Sequence, residues 1–302
     1  MRLRLLTILT FCCCISGYSQ KEVLMTQYMH NRYAVNTAFA GSAETFSALL
    51  SARMQWTGMN DAPKAQFFSM HAPLKNDNIA LGLSAFNENV AIAQNTGLSA
   101  SYAYRVRTST TNRLAFSISG GFYSARLNWH KVNLQDETDE VFRDNENYIK
   151  PALGFGMAWY GTDFFLGLSI PDMFYNGQLA HESSEIELSE TDYFLTGGYL
   201  FPLGGLISMQ PSFLVRFKPS GTTVADLSAS FIYDNTFWLG AAYRTNSEII
   251  ALAAWQATPQ LRVIYSYDYP TGDLSNMNSG SHEISLKFDF GYKVNTVSPR
   301  FF

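Results

Sequence analysis

The stretch Ser281–Phe290 reads S-H-E-I-S-L-K-F-D-F and alternates between two kinds of side chain. Successive side chains of a β-strand point to opposite faces, so the stretch predicts a strand with one apolar and one polar, charged face. The apolar face carries Ile284, Leu286, Phe288 and Phe290. The polar face carries Ser281, Glu283, Ser285, Lys287 and Asp289.

The same alternation recurs between Glu44 and Gly291, most clearly in segments 79–87, 97–106, 207–218, 222–233 and 260–269. We count about 14 candidate strands, an even number as in bacterial outer-membrane barrels. The sequence therefore predicts an all-β fold, a transmembrane antiparallel β-barrel. The alternation alone does not say which face is outside. The aromatic content of 15% and an export signal favour lipid outside and a polar lumen inside.

Composition excludes several other classes of protein. The 302 residues carry a formal net charge of -4, with no excess of Lys and Arg, so no nucleic-acid partner is expected. A mean hydropathy of -0.06 is too polar for a bundle of membrane helices. Beyond the N-terminus we find no run of about 18 apolar residues that would form a membrane helix.

Residues 1–19 read as a secretory signal peptide. Arg2 and Arg4 supply the positive start, Leu5 to Ile15 the apolar core, and a cut is expected near Gln20. All three cysteines lie inside this segment, so the mature chain is expected to have no disulfide and no Cys metal site.

The connections between predicted strands alternate in length. The even-numbered ones are short, whereas the odd-numbered ones include the long stretches, which predicts periplasmic turns at one end and surface loops at the other. The chain would then enter the barrel, residues 44–291, from the periplasmic side. Residues 20–43 lack a strand period and are predicted to be a periplasmic segment or a plug in the lumen. Residues 292–302 are predicted to be a C-terminal tail.

Charges of both signs lie on the predicted lumen face, which indicates paired side chains rather than the single-sign ring of a selective channel. The cations are Arg105, Arg216, Lys218, Arg244 and Arg262, and the anions are Asp226, Asp268, Glu283 and Asp289. The five histidines are far apart in sequence, and no catalytic, cofactor-binding or metal site is predicted. Acidic stretches within 136–146 and 182–190 fall on two predicted surface loops, where they are read as solvated faces or as calcium-bridging sites.

Seven short motifs together resemble one protein family. They are Q-Y-M at Gln27 to Met29, N-T-A-F-A-G-S at Asn36 to Ser42, Q-W-T-G at Gln55 to Gly58, A-P-K-A-Q-F-F-S-M-H-A-P-L at Ala62 to Leu74, I-A-L-G-L-S at Ile79 to Ser84, Y-S-Y-D-Y at Tyr265 to Tyr269, and N-S-G-S-H-E-I at Asn278 to Ile284. The chain resembles the PorP/SprF family over nearly all of its mature length. It departs at Thr37, where the family commonly has proline.

The resemblance implies an outer-membrane component of the type IX secretion system of Bacteroidota that is not an enzyme. Its partners would be other secretion components, outer-membrane lipid and large secreted proteins, including adhesins. These proteins would be exported and anchored at the cell surface through their C-terminal sorting domain. Candidate partner-binding residues are Gln55, Trp56, Gly58 and Pro63. For Trp56, a place in the aromatic belt at the membrane edge is an equal alternative. A passive porin is the alternative function, and an outer-membrane hydrolase ranks third.

Overall fold

The computed structural model describes residues 25–129, 146–171, 191–245, 248–271 and 278–291. They form fifteen strands after one short α-helix, α1 (Arg32–Val35), and a 3-10 turn (Thr37–Phe39). The strands are β1 (Phe46–Met54), β2 (Lys64–Pro73), β3 (Ile79–Val90), β4 (Ala93–Arg107), β5 (Arg113–Leu127), β6 (Glu146–Tyr160), β7 (Phe164–Ile170), β8 (Tyr193–Tyr199), β9 (Phe201–Gly204), β10 (Ile207–Phe217), β11 (Val224–Tyr233), β12 (Phe237–Arg244), β13 (Glu248–Gln256), β14 (Leu261–Pro270) and β15 (Ser281–Phe290). No helix in these ranges is long and apolar enough to cross a membrane.

All strands belong to one closed antiparallel sheet. Apart from β8 and β9, strands that are consecutive in sequence pair with each other, β15 pairs with β1, and β10 pairs with both β8 and β11. Strands β8 and β9 both pair with β10 and are separated only by Leu200, so they form one interrupted strand. The barrel therefore has fourteen strands, which confirms the fold predicted from sequence.

The polar faces of the strands point into the barrel. In β15, Glu283 is 1% exposed, whereas the next residue, Ile284, is 50% exposed. The same inversion holds around the sheet, where large apolar side chains are exposed and serines, arginines and carboxylates are buried. A water-soluble barrel would show the reverse. The apolar outer surface is the surface that lipid requires, so the structure decides the question that alternation alone leaves open.

The two ends of the barrel differ as predicted. Every even-numbered connection of the fourteen-strand barrel is short, and the β11–β12 turn has Asp234 and Asn235 at φ of 47° and 53°. Two positive φ angles in succession define the type I′ turn that matches strand twist. We call this end the short-turn end and the opposite one the long-loop end. The predicted signal peptide, the C-terminal tail and most of both acidic stretches lie outside the described residues.

Candidate functional site: the lumen and its N-terminal segment

Residues 25–45, here called the N-terminal segment, lie inside the barrel and run along its height. Thr26 contacts the long-loop ends of β14 and β15, whereas Glu44 contacts Arg113 at the short-turn end of β5. Strand β1 does begin at the short-turn end, as predicted. Thr26 lies at the opposite, long-loop end, because the segment runs through the lumen.

At the long-loop end the segment is held by a group that we call the mouth cluster: Thr26, Arg53, Asp268 and Glu283. The Arg53 guanidinium lies 2.6 Å from Asp268 and 3.3 Å from Glu283. The Thr26 N–H donates to Glu283 at 2.8 Å, and its hydroxyl donates to Asp268 at 2.7 Å. All four residues are nearly fully buried, and the charges are paired with one another, although Arg53 Nε and Asp268 Oδ1 have no hydrogen-bond partner among the described residues.

A second buried arginine continues this network around the wall. Arg244 donates to both oxygens of Asp226 at 2.7 Å and to Glu248 at 2.9 Å. The same guanidinium lies 3.8 Å from Asp268, which links it to the mouth cluster. The paired Arg-carboxylate geometry is the strong form of such a contact, so the long-loop end of the lumen is fixed by connected charges.

Hydroxyl contacts continue the attachment down the lumen. The Tyr28 hydroxyl lies 3.3 Å from Ser212 Oγ and 3.1 Å from Ser228 Oγ. The Tyr33 hydroxyl lies 2.8 Å from Ser101 Oγ on β4. Inward-facing serines therefore serve as hydrogen-bond partners for the segment as well as filling space.

Lower down, the segment is fixed by residues 36–41, which we call the lower anchor. The Asn36 amide donates to the carbonyls of Met157 and Leu168 and caps the 3-10 turn by accepting from Ala38 N at 2.9 Å. Phe39 is 1% exposed and packs against Tyr160 and Phe165. The Thr37 hydroxyl lies 2.8 Å from Ser117 Oγ, a contact that the proline common in the family could not make.

Small residues in the wall and a turn in the segment let the lower anchor come this close to the wall. A Cβ added at Gly156 would lie 2.2 Å from Asn36 Oδ1, and one at Gly167 would lie 2.8 Å from Asn36 Nδ2. Gly41 has φ of 71°, and its carbonyl accepts from Arg105 at 2.6 Å. The N-T-A-F-A-G-S motif is therefore explained by contacts inside the barrel.

The four candidate partner-binding residues lie at the long-loop end, in the β1–β2 loop. Gln55 is 2% exposed and donates its N–H to the carbonyl of Pro63, which is also buried. Trp56 is half-buried with φ of 49°, and Gly58 is exposed with φ of 96°. Of the four, Gly58 is the most open, and Gln55 and Pro63 shape the loop.

This loop is tied to the motif that closes the barrel. Thr57 N–H donates to the Gly280 carbonyl at 2.8 Å, and Ser279 N–H donates to the Thr57 carbonyl at 2.8 Å. Trp56 N–H donates to Ser281 Oγ at 3.2 Å. The Q-W-T-G and S-G-S-H-E-I motifs, more than 200 residues apart in sequence, thus form one surface beside the lumen mouth.

The predicted inward charges are brought together in part. Arg244 pairs with Asp226, and Asp268 and Glu283 share a cation, but that cation is Arg53, which sequence reasoning missed. The sequence of β1 could have identified Arg53 as an inward-facing residue, because Ser47, Ser51 and Arg53 alternate there with apolar residues. Among the residues that the structure describes, no three His, Cys, Asp or Glu side chains form a group that could hold a metal ion.

Fold and lumen together define a class, a lipid-exposed outer-membrane β-barrel with a buried N-terminal segment. The family model for the type IX secretion system membrane protein PorP/SprF matches residues 17–288. The chain therefore belongs to the PorP/SprF family and is a membrane component of the type IX secretion system, located in the outer membrane. This family and this fold belong to a secretion component and not to a known enzyme class.

Three solved barrels are similar to the chain at low sequence identity. The Acinetobacter baumannii outer membrane protein Omp33 is 10% identical with a TM-score of 0.48, covering 82% of this chain and 98% of that chain. A Pseudomonas aeruginosa FadL homologue is 12% identical with a TM-score of 0.45, covering 91% of this chain and 100% of that chain. The KdgM porin is 8% identical with a TM-score of 0.38, covering 81% and 99%. No curated protein matches the chain.

Proposed function

We propose that this barrel is an accessory and anchor of type IX secretion rather than a passage for the secreted protein. It would assist export of large proteins such as adhesins and hold them at the cell surface through their C-terminal sorting domain. The observation that carries the proposal is the N-terminal segment, which runs through the lumen with both ends fixed to the wall. A folded or extended cargo would have to displace the mouth cluster and the lower anchor to pass.

The docking surface in this proposal is the long-loop end of the barrel. Gly58 is exposed there, and Trp56 is held in a constrained backbone conformation by contacts to the closing motif. Gln55 and Pro63 would position the loop, while Trp56 and Gly58 would contact the partner. Rigid loops bind with less loss of conformational entropy than mobile ones, which favours a preformed surface of this kind.

The chain would reach the outer membrane of a Bacteroidota-type cell after removal of residues 1–19. Its other partners would be further type IX secretion components and membrane lipid. The polar lumen and apolar exterior support this placement, since the barrel is only stable where lipid covers its outer face.

The test is a pull-down of the tagged barrel from outer membranes in mild detergent, with bound proteins identified by mass. We expect recovery of a large secreted protein through its C-terminal domain. Trp56→Ala should reduce that recovery, whereas Trp255→Ala, which changes a tryptophan 50% exposed on the outer face, should leave it unchanged. Reproducible recovery of the folded barrel alone would contradict the anchor proposal.

Single-channel conductance separates the proposal from the porin alternative. We expect the native barrel to conduct poorly, because residues 25–45 occupy the lumen. A steady conductance typical of an open barrel of this size would favour the porin function instead.

A further inference from the structure

A small cavity lies between the N-terminal segment and the wall made by β15, β1 and β2. Its volume is about 20 Å³, which is enough for one body slightly larger than a water molecule. The segment contributes His30, Asn31 and Arg32 to its lining, and the wall contributes His71 and Lys287. Among the described residues the lining includes no carboxylate, and its two charged members, Arg32 and Lys287, are both positive.

Lys287 is the feature of this cavity that needs an explanation. It faces the lumen, is 7% exposed, and is the direct cross-strand partner of Arg262. Like charges placed opposite each other destabilise a sheet, and a buried ammonium without a partner is costly. Within the described ranges Lys287 makes no hydrogen bond and no ion pair.

The neighbouring cations are fixed in other contacts. The Arg262 guanidinium lies 4.0 Å from the centre of the Trp238 ring and donates to Gln256 at 2.8 Å. The Arg32 guanidinium lies 4.0 Å from the centre of the Phe165 ring. Among the described residues, the charged groups that act most strongly on Lys287 are Asp289 and these two arginines. Three cations thus face a single anion, which leaves an excess of positive charge beside the cavity.

Further donors surround the same space. His30 Nε2 and Asn31 Nδ2 are buried and have no hydrogen-bond partner in the part of the chain that is described. The Nδ2 amide is a donor, and His30 Nε2 donates in the tautomer that carries its proton on that nitrogen. His71 Nδ1 accepts from Gly41 N–H at 3.1 Å, so Nε2 of its neutral ring carries the proton and can donate. A water molecule could satisfy these donors, but it would leave the excess of positive charge beside the cavity uncompensated.

We propose that the cavity binds a small monovalent inorganic anion of about the size of chloride. The anion accepts from Lys287 and from the donors of His30 and Asn31, and so joins β15 to the N-terminal segment. It relieves the repulsion between Lys287 and Arg262 and adds an ionic attachment between the mouth cluster and the lower anchor. The site stands independently of any role in secretion.

The test measures thermal unfolding of the purified barrel in uncharged detergent, in sodium chloride and in sodium gluconate at equal ionic strength. Gluconate is too large for a cavity of about 20 Å³. We expect the Tm of the native protein to rise with the logarithm of the chloride concentration, as for any ligand that binds only the folded state. Gluconate should give no such rise. In crystals grown with bromide, an anomalous peak should lie in the cavity.

Three variants supply the comparison. Lys287→Met should lose the chloride-dependent rise and unfold in gluconate at a Tm no lower than that of the native protein, because an unpaired buried charge is removed. Lys64→Met, the same change at an exposed position at the long-loop end of β2, should keep the full rise. Asn31→Leu, which keeps Lys287, should move the chloride response to higher concentration. Equal Tm values in chloride and gluconate for the native protein, or a full response in Lys287→Met, would overturn the proposal.

Discussion

The two ends of the N-terminal segment are held in the lumen by different kinds of interaction. At the mouth cluster, one residue of the segment, Thr26, is bound by two carboxylates that share Arg53. At the lower anchor, amide and hydroxyl contacts combine with the packing of Phe39 against the wall, where glycines leave room for the segment. The upper attachment depends on the balance of buried charge, and the lower one depends on volume.

The difference indicates how the segment would come loose. Removing one partner of a buried ion pair leaves an uncompensated charge, so the mouth cluster should fail as a unit. A packed contact instead fails when atoms are added or removed. The mouth could therefore open while the lower anchor stays in place, and each end can be tested with its own kind of substitution.

The largest effect is expected from Arg53→Met. It leaves Asp268 and Glu283 buried without their shared cation, at a cost of about 3–5 kcal/mol in the free energy of unfolding. Chemical denaturation in detergent measures the loss, and hydrogen exchange should rise first at residues 25–29. Arg107→Met is the matched control. Arg107 is 59% exposed and its guanidinium lies as far as 4.0 Å from Asp77, so the pair is weak and its loss should change the free energy of unfolding little. Equal stability losses in the two variants would contradict the role given to Arg53.

A smaller loss is expected from Gly156→Ala, which tests the lower anchor. The added methyl would lie 2.2 Å from Asn36 Oδ1 and 2.7 Å from Ser117 Oγ, and crowding of this kind costs about 1–3 kcal/mol. Exchange should rise at residues 36–41 and stay low at Thr26. Gly120→Ala adds the same methyl to β5, where no atom lies within 4 Å of it, so it should leave stability and exchange unchanged. Protection at residues 36–41 that survives Gly156→Ala would show that the anchor does not depend on this close approach.

The smallest effect is expected from Thr26→Val, which keeps the shape of the side chain and removes its hydroxyl. The variant loses the 2.7 Å hydrogen bond to Asp268 and the 2.8 Å hydrogen bond from Arg53. Such bonds contribute about 1–3 kcal/mol at a buried charged site. The ion pairs that Arg53 keeps with Asp268 and Glu283 offset part of the loss in stability. We expect faster exchange at residues 25–29 and an unchanged lower anchor. Exchange that rises along the whole segment would mean that the two ends are coupled.

The fold was predictable from sequence because alternation is a local property. The ten residues of β15 are enough to show its apolar face and its polar face. Fourteen such strands joined by short turns at one end leave few ways to close a sheet other than an antiparallel barrel of sequential strands. The lumen contacts were not predictable in the same way. Arg53 and Asp268 are 215 residues apart, and their pairing depends on the order and stagger of strands around the barrel.

The path of the N-terminal segment could not be predicted from its own sequence. The segment's lack of a strand period predicted only that residues 20–43 form a periplasmic segment or a plug in the lumen. Its direction through the lumen depends on the serines, glycines and carboxylates of distant strands, which no local pattern records.

The sequence by itself determined an all-β barrel, the position of its turns, its family and the balance of charge on the polar faces of its strands. Each of these follows from side-chain periodicity, composition or short motifs. The tertiary structure decided which face meets lipid, which arginine satisfies which carboxylate, and where Lys287 is left beside Arg262. These are contacts between residues far apart in the chain, and only closure of the sheet fixes their distances.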